Sequence, residues 1–393
     1  MKVFQFLARF SVALCIALLI VCIGLWATGN AHLIKAVRST YLQGNTGPTI
    51  DDYVKFSNRI VQAGNEQIWQ KSNRYNTYQI PSGLLKKIEE KETTALVVIK
   101  GNKLLFEKYW GEYSKDSKTN SFSVAKSFTS LCIGAAIQEG KIKSVHQKIS
   151  DFLPEFKTGE KSSVTIKDLL TMSSGIDFGE SYGDPFGFMA KTYYGSNLYE
   201  LTLQKELKNT PGEVWKYQGG NTLLLSFILK KATGKNLSEY FSEHFWKPIG
   251  ASQNALWTTN EEKGIEKSYC CFYSNALDFA RIGQLMLDSG KWQGKQLISQ
   301  NYFMESIEPV RIKTATGQMV THYGYQWWLG EYQNTSFSYA RGILGQYIVS
   351  IPEWNLVLVR LGHERDKDRN VIIPKDLFNY LDFAQQIHQN ITE

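Results

Sequence analysis

The chain has 393 residues, enough for two domains or for one large domain carrying an insertion. Its 43% hydrophobic and 21% charged residues exclude a disordered chain. The net charge of +7 is spread over lysines along the whole length rather than gathered in basic blocks, so nucleic acid is not expected as a partner; six scattered histidines, none at ligand spacing beside cysteine or carboxylate, predict no metal and no cofactor.

The first element is apolar. Lys2 and Arg9 lead into SVALCIALLIVCIGLWATG, which carries no charge as far as Gly29. A bilayer is crossed by about 20 apolar residues, so residues 10–29 predict a membrane anchor. Ala27 and Gly29 also form a small-x-small pattern that fits a cleaved signal peptide. The length of the run favours the anchor, and both readings export the remainder to a periplasmic or extracytoplasmic location, with the cytoplasmic membrane as a partner if the segment stays uncleaved.

Residues 30–90 read as a stalk and wrapping segment, with a helix expected over 51–68. TTALVVIK at 93–100 and KLLFEKYW at 103–110, separated by Gly101 and Asn102, predict a β-hairpin. An amphipathic helix is expected from Val124 to Gly140, because Val124, Phe128, Leu131, Cys132, Ala135 and Ile137 recur at helical spacing. The middle carries mainly helix and loop signals: TIKDLLTMSSG, LYELTLQKELKNTPGE, GGNTLLLSFILKKATGK ending at Gly234, and SNALDFARIGQLMLDSG with Ser274 as its cap.

Four short apolar or alternating runs follow, HYGYQWWLG, SFSYARGILG, QYIVSIP and NLVLVRLG, and a closing helix begins at Pro374. The expected class is α/β (α+β): the first strands join the last in one antiparallel sheet flanked by N- and C-terminal helices. The sheet domain would comprise 91–150 and 291–393, with a mostly helical insertion domain at 151–290 and a cleft at their junction. Cys132 reads as a small buried hydrophobe. Adjacent Cys270 and Cys271 are not expected to bond to each other, and no disulfide framework is visible.

Three stretches carry chemistry. SFSVAKSFTS puts Ser123 and Lys126 three apart on one helix face, as a nucleophile and its base require; the alternative is a serine cap and a solvated lysine. PGEVWKYQGGNTLLL puts Tyr217 in a loop whose Gly219 and Gly220 keep the backbone open, so Tyr217 can shuttle a proton across a cleft or merely pack. In YARGILGQYIV, Gly342 costs packing within a strand unless something approaches the backbone there. The amides of Ile343 and Ser123 then qualify as oxyanion donors, and Arg341 either meets a carboxylate or faces solvent.

Taken in order, SVAK, LLTMSSG, PGEVWKYQGGNTLLL, HYGYQWW and ARGILGQ resemble the serine β-lactamase and penicillin-binding superfamily, in particular its class C-like, esterase and 6-aminohexanoate-dimer hydrolase branch, from about residue 90 to about residue 385. The resemblance implies a β-lactamase/transpeptidase-like fold, an acyl-enzyme on Ser123, Lys126 as general base and Tyr217 as the second proton carrier. It also implies an ester, amide or peptide-like small substrate. Ala340, Arg341 and Gly342 stand where classical members carry K-T-G, and Gly219 stands where class C lactamases have asparagine. Both departures resemble the esterase and amidase branch, with D,D-peptidase, β-lactamase and a non-catalytic envelope-binding role as alternatives. GIDFGESYGDPFG resembles a loop on the substrate side of that branch, which adds Asp177, Glu180, Tyr182 and Asp184 to Gly219, Arg341 and Gly342 as candidate substrate contacts.

Overall fold

Alternation of side chains along the expected hairpin builds two cores at once. In the computed structural model, which describes residues 1–368 and 371–390, strands β2 (Thr93–Lys100) and β3 (Lys103–Tyr109) pair antiparallel. Strands β7 (Trp328–Tyr332), β8 (Thr335–Gly342), β9 (Gln346–Ile351) and β10 (Leu356–Gly362) complete a six-stranded antiparallel sheet in the order β7-β8-β9-β10-β2-β3. On one face Val97, Ile99, Ile348, Val357 and Val359 meet helices α4 (Val124–Gln138) and α7 (Ala276–Leu287). On the other, Leu96, Val98, Val349 and Leu358 pack under α3 (Ser82–Glu89) and α8 (Lys375–Asn390). Period-two strands buried on both faces account for this three-layer arrangement.

A second sheet lies beside the first, in the order β1 (Asn58–Val61), β5 (Ala255–Thr258), β6 (Phe272–Ser274) and β4 (Thr119–Asn120). The helix expected over 51–68 is therefore absent: only Asp52–Lys55 is helical, as a 3-10 turn, and Asn58–Val61 pairs with β5 across nearly 200 residues of sequence. A sheet edge far along the chain overrides local helical propensity here. Helix α7 begins one residue later than expected, with Asn275 as cap accepting from the Asp278 amide at 2.8 Å, because Ser274 is held in β6 opposite Thr119. In LYELTLQKELKNTPGE only Leu198–Leu203 is helical; the polar remainder runs back along the 175–177 loop, where Asp177 N donates to Glu206 O at 2.9 Å.

Helix α4 is buried on every side from Val124 to Ala136 rather than along one stripe. A helix apolar all round belongs in a core, and its hydroxyls find partners there: Ser127 Oγ donates to Gln326 O at 2.6 Å, and Ser130 pairs with Tyr302 Oη at 2.9 Å. Helix α6 (Gly219–Thr233) packs beside it and ends on Gly234 in the left-handed region. Cys270 and Cys271 form a disulfide with each other, contrary to expectation. The left-handed backbone at Cys271, φ +66°, brings together two side chains that a regular strand would point to opposite faces.

At the N-terminus, α1 (Lys2–Ala27) contains the apolar segment Val3–Ala27, long and apolar enough to cross a membrane, and none of it is buried against the rest of the protein. A short hydrogen-bonded junction joins it to α2 (His32–Ser39), which packs on α5 (Phe188–Tyr194).

Helix α7 approaches the sheet at Gly283, where an added Cβ would lie 2.4 Å from Val357 Cγ1, and Ser350 Oγ donates to Gly283 O at 2.8 Å. Gly283→Val should therefore overpack this contact and cost about 1–3 kcal/mol. Thermal denaturation followed by circular dichroism tests this; an unchanged midpoint would show that the α7–sheet spacing is slack.

Candidate active site

The turn that presents Ser123 is shaped by its neighbours. Asn120 Oδ1 accepts from Phe122 N at 2.8 Å and Ser121 N donates to Phe272 O at 2.8 Å. Between these bonds the buried Phe122 is held at φ +47°, a conformation that costs a non-glycine residue about 1–2 kcal/mol. Ser123 then takes the N-cap position of α4, yet its hydroxyl makes no capping bond. Instead Ser123 Oγ accepts from Lys126 Nζ at 3.0 Å.

Lys126 is only 1% exposed. Its Nζ makes one further bond, to the Tyr269 carbonyl oxygen at 3.0 Å, and lies 4.9 Å from the centre of the Tyr217 ring. No carboxylate pairs with it among the described residues. Tyr269, which lends this carbonyl, is itself fixed by its hydroxyl on Thr192 Oγ1 at 3.1 Å, and burial pushes that phenol well above its ordinary range. Sequence reasoning missed Tyr269 because its contribution is a backbone atom, for which side-chain type is no signal.

Tyr217 arrives on the far wall of the same site. Lys216 N donates to Met172 O at 2.8 Å, and Gln218 bridges Ile176 O at 2.8 Å and Phe178 N at 3.1 Å. The LLTMSSG stretch is thus the support for the Tyr217 segment, and Met172 adopts φ +59° to provide it. The Tyr217 ring packs on Trp328 at 5.3 Å and on Tyr323 at 6.0 Å, while its hydroxyl has no partner among the described residues. Trp328 is therefore a wall of the site.

The end of β8 closes the third side. A Cβ on Gly342 would stand 2.2 Å from the Ser121 carbonyl oxygen, so the strand enters at backbone contact with the Ser123 turn. Ile343 begins the following turn, which Gln346 Nε2 and the fully buried Arg360 hold from behind: Gln346 donates to Ile343 O at 3.2 Å, and Arg360 Nη1 to Leu344 O and Gly345 O at 2.8 and 2.7 Å. Arg360 was legible as an arginine inside the apolar run NLVLVRLG. Arg341 finds no carboxylate among the described residues; its guanidinium lies 3.5 Å over Trp328 and donates to Ile372 O at 2.8 Å. His322 stacks on Trp328 at 16°, and burial, with Arg341 adding to it, holds its imidazole below the usual range.

The loop 176–187 forms the remaining border. Asp177 pairs with Lys216 at 2.8 Å and Lys208 at 3.7 Å, and the Lys216 bond holds its carboxyl below the usual range. Glu180 Oε2 accepts the Gly219 amide at 2.7 Å, placing a carboxylate on the positive end of α6, and Glu180 Oε1 accepts from Tyr182 Oη at 2.9 Å. Tyr182 is exposed, and Asp184 Oδ1 accepts from the Phe186 amide at 2.9 Å. The structure thus brings together Ser123, Lys126, Tyr217 and Gly342, with Gly219 against the ring of Tyr269 whose carbonyl holds the lysine, whereas Asp177 and Asp184 bond to their own surroundings.

An antiparallel sheet packed against a buried helix that carries a serine–lysine pair at hydrogen-bond distance defines a serine hydrolase of the β-lactamase and penicillin-binding type. The family model described as Beta-lactamase matches residues 83–376, and the chain belongs to that family. The 6-aminohexanoate-dimer hydrolase of Paenarthrobacter ureafaciens is 27% identical over 303 residues, covering 72% of this chain and 76% of the relative. Among solved structures, a proposed 6-aminohexanoate-dimer hydrolase from Bacillus anthracis superposes with a TM-score of 0.72 at 22% identity over 86% of this chain and 92% of its own. A family VIII carboxylesterase superposes with 0.61 at 15% identity over 79% and 99%. These superpositions carry the fold.

Gly342→Ala should force the β8 end away from the Ser123 turn and lower kcat/KM on a small ester by about tenfold or more, since misplacement on the ångström scale is costly to positioned chemistry; unchanged turnover with an unchanged melting temperature would contradict this contact. Because the folded chain holds the His322 pKa down, the unfolded chain takes up that proton first, so stability is lost as pH falls below about 6.5. The melting temperature of His322→Asn should accordingly fall less than that of the wild type between pH 7 and pH 5, and parallel curves would remove His322 from the linkage.

Proposed function

We propose that the protein is an exported serine acyl hydrolase that opens carboxylic esters or amides through an acyl-enzyme on Ser123, in the manner of a carboxylesterase or a 6-aminohexanoate-dimer-hydrolase-like amidase. The observation that carries this reading is the 3.0 Å contact between Ser123 Oγ and the buried Lys126 Nζ. Lys126 takes the hydroxyl proton as Oγ attacks the substrate carbonyl carbon. The tetrahedral oxyanion lies against the amides of Ser123 and Ile343. Tyr217, 4.9 Å from Lys126 Nζ at its ring centre, hands a proton to the leaving oxygen or nitrogen, so the acyl–leaving-group bond breaks as the Ser123 ester forms. Water, activated by the same pair, then releases the carboxylic acid and restores Ser123.

Domain roles follow the same reading: a sheet domain of 91–150 and 291–393 and an insertion at 151–290, whose α7 packs back on the sheet while its earlier part faces the cleft, supply the walls of the site, with Tyr182 and Gly219 bordering the substrate. Arg341, stacked on Trp328, adds positive charge to the aromatic wall. Asp177 is a positioning residue acting through Lys216. Residues 10–29 anchor the protein in the cytoplasmic membrane, as the unburied apolar face of α1 supports. With Ala340 and Arg341 in place of a lysine and threonine, esters and linear amides are favoured over β-lactams.

A fluorescent fluorophosphonate should label the wild type and leave Ser123→Ala unlabelled, while Lys126→Met and Tyr217→Phe lower kcat on p-nitrophenyl acetate by about 10² or more with little change in KM. Labelling that persists in Ser123→Ala would remove the nucleophile assignment. Turnover compared across p-nitrophenyl esters, a linear aminohexanoate dimer, nitrocefin and D-alanyl-D-alanine peptides separates the substrate classes.

A further inference from the structure

The unburied helix α1 and the loop beside the cleft are joined by a very short path. Ala27 ends α1, and His32, five residues on, donates from its Nε2 to Pro185 O at 2.8 Å. Five residues reach at most about 18 Å fully extended, and the junction is shorter than that because Asn30 N bonds back to Leu25 O at 2.7 Å. Pro185 belongs to the loop whose Glu180 accepts the Gly219 amide, two residues from Tyr217. The loop bordering the site is therefore bolted to the start of α2, immediately after the apolar helix.

Large apolar side chains are exposed on both partners of this bond, on the face of α2 turned away from the buried His32 and on the loop itself. Trp26, Ile34, Val37, Tyr41 and Leu42 are exposed on the α1–α2 side, Leu42 at 71%, and Tyr182 and Phe186 are exposed on the loop, Phe186 at 54%. Ile34 and Val37 fall on one face of α2, with Tyr41 continuing it in the turn just after, and an exposed apolar stripe of this kind is a contact surface rather than ordinary solvent-facing scatter. Arg38, exposed on α2, supplies a positive charge of the kind that adds to the binding of an interfacial helix to anionic lipid. Continuity with a 25-residue apolar segment that nothing in the protein covers names the occupant of this face as the bilayer from which that segment emerges.

We propose that the cleft opens at the membrane surface and that the substrate class is a membrane-embedded acyl amphiphile, an ester or amide with a long apolar chain that enters past Tyr182 and Phe186. This rests on the anchored acyl-hydrolase reading. The reaction consumes one water and yields the free fatty acid and the alcohol or amine. Seating the loop at the interface lets the scissile carbonyl reach Ser123 without lifting the chain into water.

The test uses the full chain reconstituted in vesicles of phosphatidylcholine and phosphatidylglycerol, with p-nitrophenyl acetate and p-nitrophenyl palmitate as substrates. The palmitate-to-acetate ratio of kcat/KM should be about tenfold or more above that of a variant in which Val37→Ser and Leu42→Ser, both away from the cleft, blunt the surface, with acetate turnover unchanged. The emission that Phe186→Trp adds over the wild type, which already carries Trp26 in the apolar helix, should also be quenched by brominated lipid in the same vesicles. Equal ratios in wild type and the double variant overturn the substrate class, and an unquenched Trp at 186 overturns the membrane contact and leaves a protein partner on that face. Failure of the wild type to turn over acetate would instead overturn the underlying acyl-hydrolase reading, and a mature chain lacking residues 1–29 by mass would overturn the anchor.

Discussion

One buried amine organises the site. Lys126 Nζ sits between two oxygens, Ser123 Oγ and the carbonyl of Tyr269, each 3.0 Å away, with no carboxylate among the described residues to pair with it. A buried cationic or amine group is tolerated only where the protein supplies polar partners in fixed positions. Here the three chain segments that supply the partners, the start of α4, the approach to β6 and the Tyr217 loop, must meet at one point. The Tyr269 carbonyl reaches that point because the chain turns at the Cys270–Cys271 disulfide, and Trp257 Nε1 donates to Cys270 O at 3.0 Å to fix the turn.

Backbone conformations around this amine are unusual in a coherent way. Phe122, Met172 and Leu344, none of them glycine, all occupy the left-handed region, and each lies in a segment bordering the site. Such conformations cost energy and persist only where surrounding bonds over-determine them. Asn120 does so for Phe122, the Lys216 amide bonding to Met172 O for the second segment, and Arg360 with Gln346 for the turn after β8. The six-stranded sheet is the rigid member against which this strain is held, with Arg360 buried inside it.

A shared fold leaves the chemistry of the rim open. This chain keeps the glycine that lets β8 approach the Ser121 carbonyl but replaces the preceding positions with Ala340 and Arg341. Alternation along β8 sends Ala340 into the core with Ile348, while Arg341 stacks on Trp328 beside His322. The positive charge is thus spread over an aromatic wall that also carries Tyr217 and Tyr323. The cation at this position is a guanidinium stacked on a buried indole rather than a free lysine ammonium, and the two are not interchangeable.

Periodicity alone determined a good deal of this protein: the hairpin at 93–110, the helices starting near Val124 and Gly219, the four closing strands and the three-residue spacing of Ser123 and Lys126 are all written in local pattern. Local pattern misled where a distant partner outweighed it, as at Asn58–Val61, drawn into an edge strand, and at Ser274, held in β6 so that the cap moved to Asn275. Only the tertiary structure decided that α4 is buried all round, that Asp177 is taken up by Lys216, and that a backbone carbonyl at Tyr269 holds the lysine. The reason is physical: side-chain period encodes which face of an element is apolar, whereas the position of a carbonyl, a left-handed residue or a stacked guanidinium depends on contacts between segments far apart in the chain.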